Sequence, residues 1–235
     1  MFQGVIRENL LQRIVEFISF KIISPIKFDR IIFLIKGRYY NLTPEDRDQC
    51  KDLMEKETYL WLTRRKTHLT TYMISLGDWL LDVLTWFKGK CKEKFPKINF
   101  KKYTHAFINE DDDLLIEAVA KGVIESQFDT VFDCDWACAL KVKGLNAIQW
   151  KKIAKLVVAS GKSNIGRKYD ALFDIKSADK VSCIELLRVE LKAALGDQYD
   201  ALMADFEAMI KKSGNITPNM LRNSSSFEVV LEIKR

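Results

Sequence analysis

The sequence predicts an α+β fold: a small antiparallel sheet with helices packed on one side, preceded by a helical extension. Three observations lead to this prediction. Residues 103–119 alternate as a strand, a polar turn and a second strand, a capped helix begins at Cys183, and residues 1–23 have the three-four spacing of an amphipathic helix. No internal repeat or low-complexity tract is visible.

Composition is that of a globular protein with a substantial core. Hydrophobic residues make up 48% and aromatic residues 11% of the 235-residue chain, enough for one main domain and an extension. The 5 cysteines are scattered and odd in number, which favours a reducing origin over a disulfide-stapled secreted domain. Lysines are interspersed with acids to give a net charge of +6, so we expect no nucleic-acid partner. A positive surface suits an anionic cell wall or a membrane equally well.

Residues 1–23 predict an amphipathic helix that does not cross a bilayer. Five charged residues interrupt its apolar pattern: Arg7, Glu8, Arg13, Glu16 and Lys21. The segment also lacks the cleavage-site pattern of a secretory signal, so synthesis in the cytoplasm is expected, with virion and cell envelope both open as sites of action. The helix packs on its own domain, docks on a partner protein or lies on a membrane surface.

The domain boundary is expected near residue 42. Residues 37–41 have the composition of a linker, and Thr43 then caps a helix with Pro44 at its first position. We therefore predict a helical extension over 1–42 and one domain over 43–235. Within that domain the pattern predicts strands at 58–63, within 129–142 and at 227–233, helices at 70–86, 147–159 and 200–211, and a lysine-rich connection at 88–102. In the helix at 147–159, the side chains expected to face the core are Ile148, Ile153, Leu156 and Val157.

The strands on either side of the turn at 109–113 bring a histidine and a glutamate near each other. His105 and Glu117 are roughly symmetric about the turn, so they are near-opposite partners in an antiparallel hairpin. A carboxylate within reach of an imidazole fixes its tautomer. The alternative is an exposed strand histidine beside an unrelated glutamate, because a register shift of a residue or two would separate them.

The helix that begins at Cys183 has a strong start signal. Ser182 and Glu185 form a capping box, and an apolar stripe runs from there until Gly196 ends the helix. A thiol in the first turn meets the positive end of the helix dipole and unpaired N–H groups, which favour the thiolate and can bind an oxyanion. This predicts a nucleophile, with the alternative that Cys183 is a small buried hydrophobe.

Neither of two possible metal sites is favoured, and no cofactor is expected. Cys134 and Cys138 are close in sequence, but zinc needs four ligands and the chain has only 2 histidines. The adjacent acids at 110–113 are expected to face water rather than bind calcium.

Several motifs follow one another in a recognisable order. They are Tyr-Thr-His105-Ala, Ile-Glu117-Ala-Val with Gly122-Val123 after it, the segment from Gly166 to Asp174, Ser182-Cys183-Ile-Glu185-Leu, and the tail from Ile216 to Val229. As a set, over about residues 57–235, they resemble the YiiX-like, circularly permuted branch of the NlpC-type papain-fold cysteine hydrolases. Ordinary papain-like enzymes have the cysteine before the histidine, and this chain has the reverse order.

The resemblance implies a circularly permuted papain-like fold and a set of site residues. Cys183 would be the nucleophile, His105 the general base and Glu117 the acid that orients the histidine. Tyr169 would line the pocket near the thiol, and Thr104, beside the histidine, is a further candidate for substrate contact. Ile184 follows the cysteine where the family usually has a serine, a departure that alters the site rather than abolishing it.

The implied reaction is hydrolysis of an amide in a peptide, such as the stem peptide of peptidoglycan, through an acyl-enzyme. One alternative is a lipid-directed acyltransferase or hydrolase on the same permuted fold, akin to the lecithin retinol acyltransferase group, although the cysteine motif of that group differs. Another is a non-catalytic structural or assembly protein, for example of a phage particle, that retains the fold and docks through its N-terminal helix.

Overall fold

The computed structural model describes residues 42–64, 103–111, 113–170, 180–213 and 216–235. The predicted N-terminal extension except Leu42, the helix at 70–86, the connection at 88–102 and residues 171–174 of the resembling segment lie outside the described residues. These expectations, and the domain boundary, stay predictions.

The described chain contains seven α-helices and eight strands, with runs of consecutive strands and of consecutive helices. The helices are α1 (Pro44–Lys56), α2 (Phe128–Val131), α3 (Ala147–Ser163), α4 (Cys183–Leu195), α5 (Tyr199–Leu202), α6 (Ala204–Ser213) and α7 (Pro218–Asn223). The strands are β1 (Leu60–Arg64), β2 (His105–Asn109), β3 (Leu114–Val119), β4 (Gly122–Gln127), β5 (Trp136–Val142), β6 (Lys168–Tyr169), β7 (Lys180–Val181) and β8 (Phe227–Lys234).

The main sheet is antiparallel throughout, with strand order β4-β3-β2-β1-β5-β8. Strands β2, β3 and β4 form a meander with short turns, and β1 lies in the middle of the sheet between β2 and β5. Strands β6 and β7 form a separate parallel pair. This mixture of an antiparallel sheet and packed helices confirms the predicted α+β class.

Both faces of the sheet are covered, so the expectation of helices on one side only is wrong. Alternate residues of β1 point to opposite faces and belong to different hydrophobic clusters. Leu60 and Leu62 pack with α3 and α4, whereas Trp61 packs with α1 and α2. The second cluster is aromatic at its centre, where Phe132 stacks on Phe128 with ring centroids 4.3 Å apart. Because β1 is apolar on both faces, each face needs cover.

Helix α3 is rotated relative to the prediction. Val157 is fully buried as expected, but Ile148 is 83% exposed and Leu156 45% exposed, so these two do not face the core. The buried stripe is instead Trp150, Ala154, Val157 and Gly161. The physical reason is Trp150, which has the largest apolar area in the helix, and whose indole N–H donates to the Thr58 carbonyl at 3.0 Å.

Candidate active site

Cys183 is the first residue of α4, as the capping signal predicted. The Ser182 hydroxyl accepts from the Glu185 N–H at 3.3 Å, and the Glu185 carboxylate accepts from the Ser182 N–H at 2.8 Å. The apolar stripe of α4 packs against β2 and β3, which fixes the end of the helix relative to the sheet. The cysteine is therefore held at a defined helix N-terminus.

His105 and Glu117 are in direct contact, with Nε2 of the imidazole 2.5 Å from Oε2 of the carboxylate. The hairpin is as predicted, but its register differs: Glu117 is opposite Phe107, two residues from His105. The contact is thus diagonal across neighbouring strands, within reach of long side chains on one face. The Phe107 ring lies 5.8 Å from the imidazole and helps to cover it.

The thiol of Cys183, as well as the Glu117 carboxylate, influences the pKa of the imidazole. Burial on its own lowers the pKa of His105, but hydrogen bonding to Cys183 and Glu117 and the charges of both groups outweigh it and raise that pKa to about 10. Since Nε2 is engaged by Glu117, Nδ1 is the ring nitrogen available to the sulfur. His105 therefore contacts Glu117 directly, and the thiol of Cys183 is near enough to influence the pKa of the same imidazole.

Access to this cluster is uneven. The Cys183 residue is 1% exposed, whereas 24% of the His105 side chain is exposed and only 7% of the Glu117 side chain. In this conformation the imidazole is the part of the cluster that faces solvent, and the sulfur lies beneath the surface. In this conformation the sulfur is therefore not open to a large ligand.

Tyr169 lies close to the same cluster. Burial raises the pKa of its hydroxyl well above the usual value, and the charges of Cys183, Asp170 and Glu185 add to that effect. Thr104 is 6% exposed, so little of its side chain is available to a substrate. Its backbone N–H donates to the Thr63 carbonyl at 3.1 Å.

A glycine brings the Tyr169 strand against the sheet. Gly122 has φ +112°, and a Cβ there would lie 2.5 Å from the Arg167 carbonyl oxygen. The bare glycine lets Val123 donate to the Arg167 carbonyl and Gly166 donate to the Val123 carbonyl, each at 2.9 Å. This close approach positions β6, with Tyr169, beside β4.

The residues of the two possible metal sites are either separated or paired with lysines. Cys134 and Cys138 lie in different clusters on the two sides of the sheet, and both are buried. In the acidic turn, Asp113 pairs with Lys51 at 3.0 Å and Glu110 pairs with Lys162. Among the described residues, no group of three histidine, cysteine or acidic side chains is arranged to hold a metal ion.

Two residues that the sequence reasoning missed stand out. The Ser126 hydroxyl on β4 donates to Oε1 of Glu117. Glu190 on α4 is fully buried, and in the part of the chain that the structure describes neither of its carboxylate oxygens has a hydrogen-bond partner. Burial raises its pKa well above the usual value. Its position within the apolar stripe of α4 was visible in the sequence, whereas the Ser126 contact depends on strand register.

Comparison with known proteins gives one distant likeness. No protein-family model matches the chain, and no curated protein matches it significantly. A crystal structure of metalloprotein yiiX from Escherichia coli O157:H7 aligns with a TM-score of 0.49 and 13% identity, covering 76% of this chain and 98% of that chain. A likeness below a TM-score of 0.5 transfers neither a site nor an activity, and the description as a metalloprotein applies to that protein alone. Within the described ranges, no helix is both long and apolar enough to cross a bilayer.

Proposed function

We propose that the chain is a cysteine hydrolase of amide bonds on a circularly permuted papain-like fold, with Cys183, His105 and Glu117 as its triad. The observation that carries the proposal is the 2.5 Å contact between the His105 imidazole and the Glu117 carboxylate, with the Cys183 thiol near enough to raise the pKa of the same ring. A nucleophile, a base and an orienting acid need this connectivity.

In the proposed mechanism, the Cys183 thiolate attacks the amide carbon while His105 is protonated. The first-turn N–H groups of α4 that the capping box does not occupy would stabilise the developing oxyanion. The imidazolium then gives its proton to the leaving amine, the carbon–nitrogen bond breaks, and a thioester remains. Water hydrolyses the thioester, with His105 taking its proton and the thiolate departing. Glu117 keeps the imidazole in one orientation and stabilises its charge.

The proposed substrate is a peptide amide, with the stem peptide of peptidoglycan as the first choice. The family resemblance supports this choice, and the net charge of +6 is compatible with an anionic wall. The residue after the proposed nucleophile, Ile184, is apolar and fully buried, so it adds no polar group beside the thiol.

A second candidate is a non-catalytic structural or assembly protein that retains the fold. The 1% exposure of Cys183 favours this candidate, since an inert buried cysteine behaves as a small hydrophobe. In that case the histidine and glutamate would be a structural pair.

Digestion of purified bacterial sacculi tests the proposal, with mass spectrometry of the released peptides to identify the bond. We expect turnover by the unaltered chain and none by Cys183→Ala or His105→Ala. The matched controls are Cys50→Ala, which removes a thiol buried in the other cluster, and His68→Ala, which removes the other histidine. Turnover of lipid esters without turnover of sacculi would favour the lipid-directed alternative. Alkylation of Cys183 at the rate and pH dependence of an ordinary thiol would favour the non-catalytic one.

A further inference from the structure

Ser126 belongs to the same line of side chains as His105 and Glu117. Its hydroxyl donates to Oε1 of Glu117, the carboxylate oxygen that does not contact the imidazole. The three residues come from three successive strands of the sheet, β4, β3 and β2. One carboxylate thus links a hydroxyl on one side to an imidazole on the other.

The register explains how one carboxylate reaches both partners. Glu117 is directly opposite Phe107 on β2 and Ile124 on β4. His105 is two residues before Phe107 and Ser126 two residues after Ile124, so both lie diagonally from Glu117 and on the same face of the sheet. One carboxylate oxygen of Glu117 contacts His105 and the other accepts from Ser126.

We infer that Ser126 is a positioning residue, which holds the Glu117 carboxylate in the orientation that engages His105. The inference rests on the proposed function and deepens it, because it adds a residue that positions the acid of the proposed triad. The Ser126 hydroxyl is hydrogen-bonded to Glu117, so its effect on the imidazole passes through that carboxylate.

The burial of Glu117 gives this contact its importance. Only 7% of the Glu117 side chain is exposed, so little water is available to replace a lost donor. Loss of a hydrogen-bond donor to a buried carboxylate is costly, and the terminal torsion of a glutamate is soft. Without the serine hydroxyl, the carboxylate rotates towards another donor and draws Oε2 away from Nε2 of His105.

The test compares Ser126→Ala with Ser126→Thr, which restores the hydroxyl. Ser163→Ala is the matched control, because that serine is exposed and its hydroxyl caps the carbonyl of Ser160. The chain has 2 histidines, so nitrogen-15 spectra of labelled protein contain two imidazoles, and His105→Gln assigns them. These spectra report the titration of His105 and its Nε2 proton without any need for a substrate.

We expect Ser126→Ala to lower the titration midpoint of His105 by on the order of one pH unit and to weaken the deshielded signal of its Nε2 proton. The alkylation rate of Cys183 at neutral pH should fall roughly tenfold, which is the size of effect seen when a residue that hydrogen-bonds to a functional side chain is removed. Ser126→Thr should restore both readouts, and Ser163→Ala should change neither.

An unchanged or higher midpoint in Ser126→Ala, or no rescue by Ser126→Thr, would overturn the inference. Failure of the proposed function has a different signature. If Cys183→Ala leaves the His105 titration unchanged and His105→Gln leaves alkylation unchanged, the thiol and the imidazole are uncoupled, whatever Ser126 does to Glu117.

Discussion

Nε2 of His105 lies 2.5 Å from Oε2 of Glu117 although the two residues are not partners in the β2–β3 ladder, where Glu117 is opposite Phe107. The diagonal contact depends on the length of the glutamate side chain. We expect Glu117→Gln to lower turnover by between about 10² and 10⁴, because the amide can donate to Nε2 and favour the wrong tautomer. Kinetics on the identified substrate, with the exposed Glu125→Gln on β4 as control, measure this loss.

The pH dependence of hydrolysis should follow the imidazole. The pKa of His105 is raised to about 10, so the proton needed by the leaving amine is held through neutral pH and lost as pH rises through about 10. The same shift stabilises the folded state fully below the unfolded value of 6.5, and that contribution disappears as pH rises through about 10. Turnover measured from pH 6 to 11 should show an alkaline limb, and a limb near pH 7 would contradict the proposed coupling.

The close approach at Gly122 should distinguish backbone strain from collision. Gly122→Ala and Gly166→Ala both place an alanine at positive φ, which costs about 1–3 kcal/mol of unfolding free energy. Only at Gly122 would the new Cβ also meet a carbonyl oxygen, that of Arg167, at 2.5 Å, whereas nothing lies within 4 Å at Gly166. Urea denaturation should therefore find Gly122→Ala the less stable of the two.

That collision also has a functional consequence. Displacement of residue 167 moves Tyr169, so Gly122→Ala should slow turnover under conditions in which the variant remains folded, and Gly166→Ala should not. Equal stability losses in the two variants would mean that the strand can separate from β4 without cost.

The buried Glu190 should make the protein less stable as pH rises. Burial raises its pKa well above the ordinary 4.5, so the folded state binds a proton that the unfolded state releases. The stabilisation is full below 4.5 and falls by about 1.4 kcal/mol per pH unit until pH reaches the folded value. Glu190→Gln keeps the shape and cannot ionise, so the difference in unfolding free energy between the two proteins should grow with pH in favour of the variant.

Denaturation series at several pH values measure that difference. Glu228→Gln is the matched control, because it makes the same change on β8 at a side chain that is 52% exposed rather than buried. A pH-independent offset for Glu190→Gln would mean that the Glu190 carboxyl ionises as freely in the folded state as in the unfolded one.

Local signals in the sequence predicted those parts of the fold that depend on neighbouring residues. The capping box at Ser182 and Glu185 and the hairpin between His105 and Glu117 are of this kind, and both are present. The orientation of α3 was not predictable in the same way, because the competition between Trp150 and the exposed Ile148 is decided by the sheet beneath the helix. Ser126 escaped notice because its role depends on a third strand and on a diagonal contact.

The meander formed by β2, β3 and β4 carries the imidazole, the carboxylate and the hydroxyl on consecutive strands, whereas the thiol comes from a separate helix later in the chain. The two parts can therefore be altered separately: a substitution at position 183 would remove the proposed nucleophile and leave the hydrogen-bonded series of side chains across the meander in place.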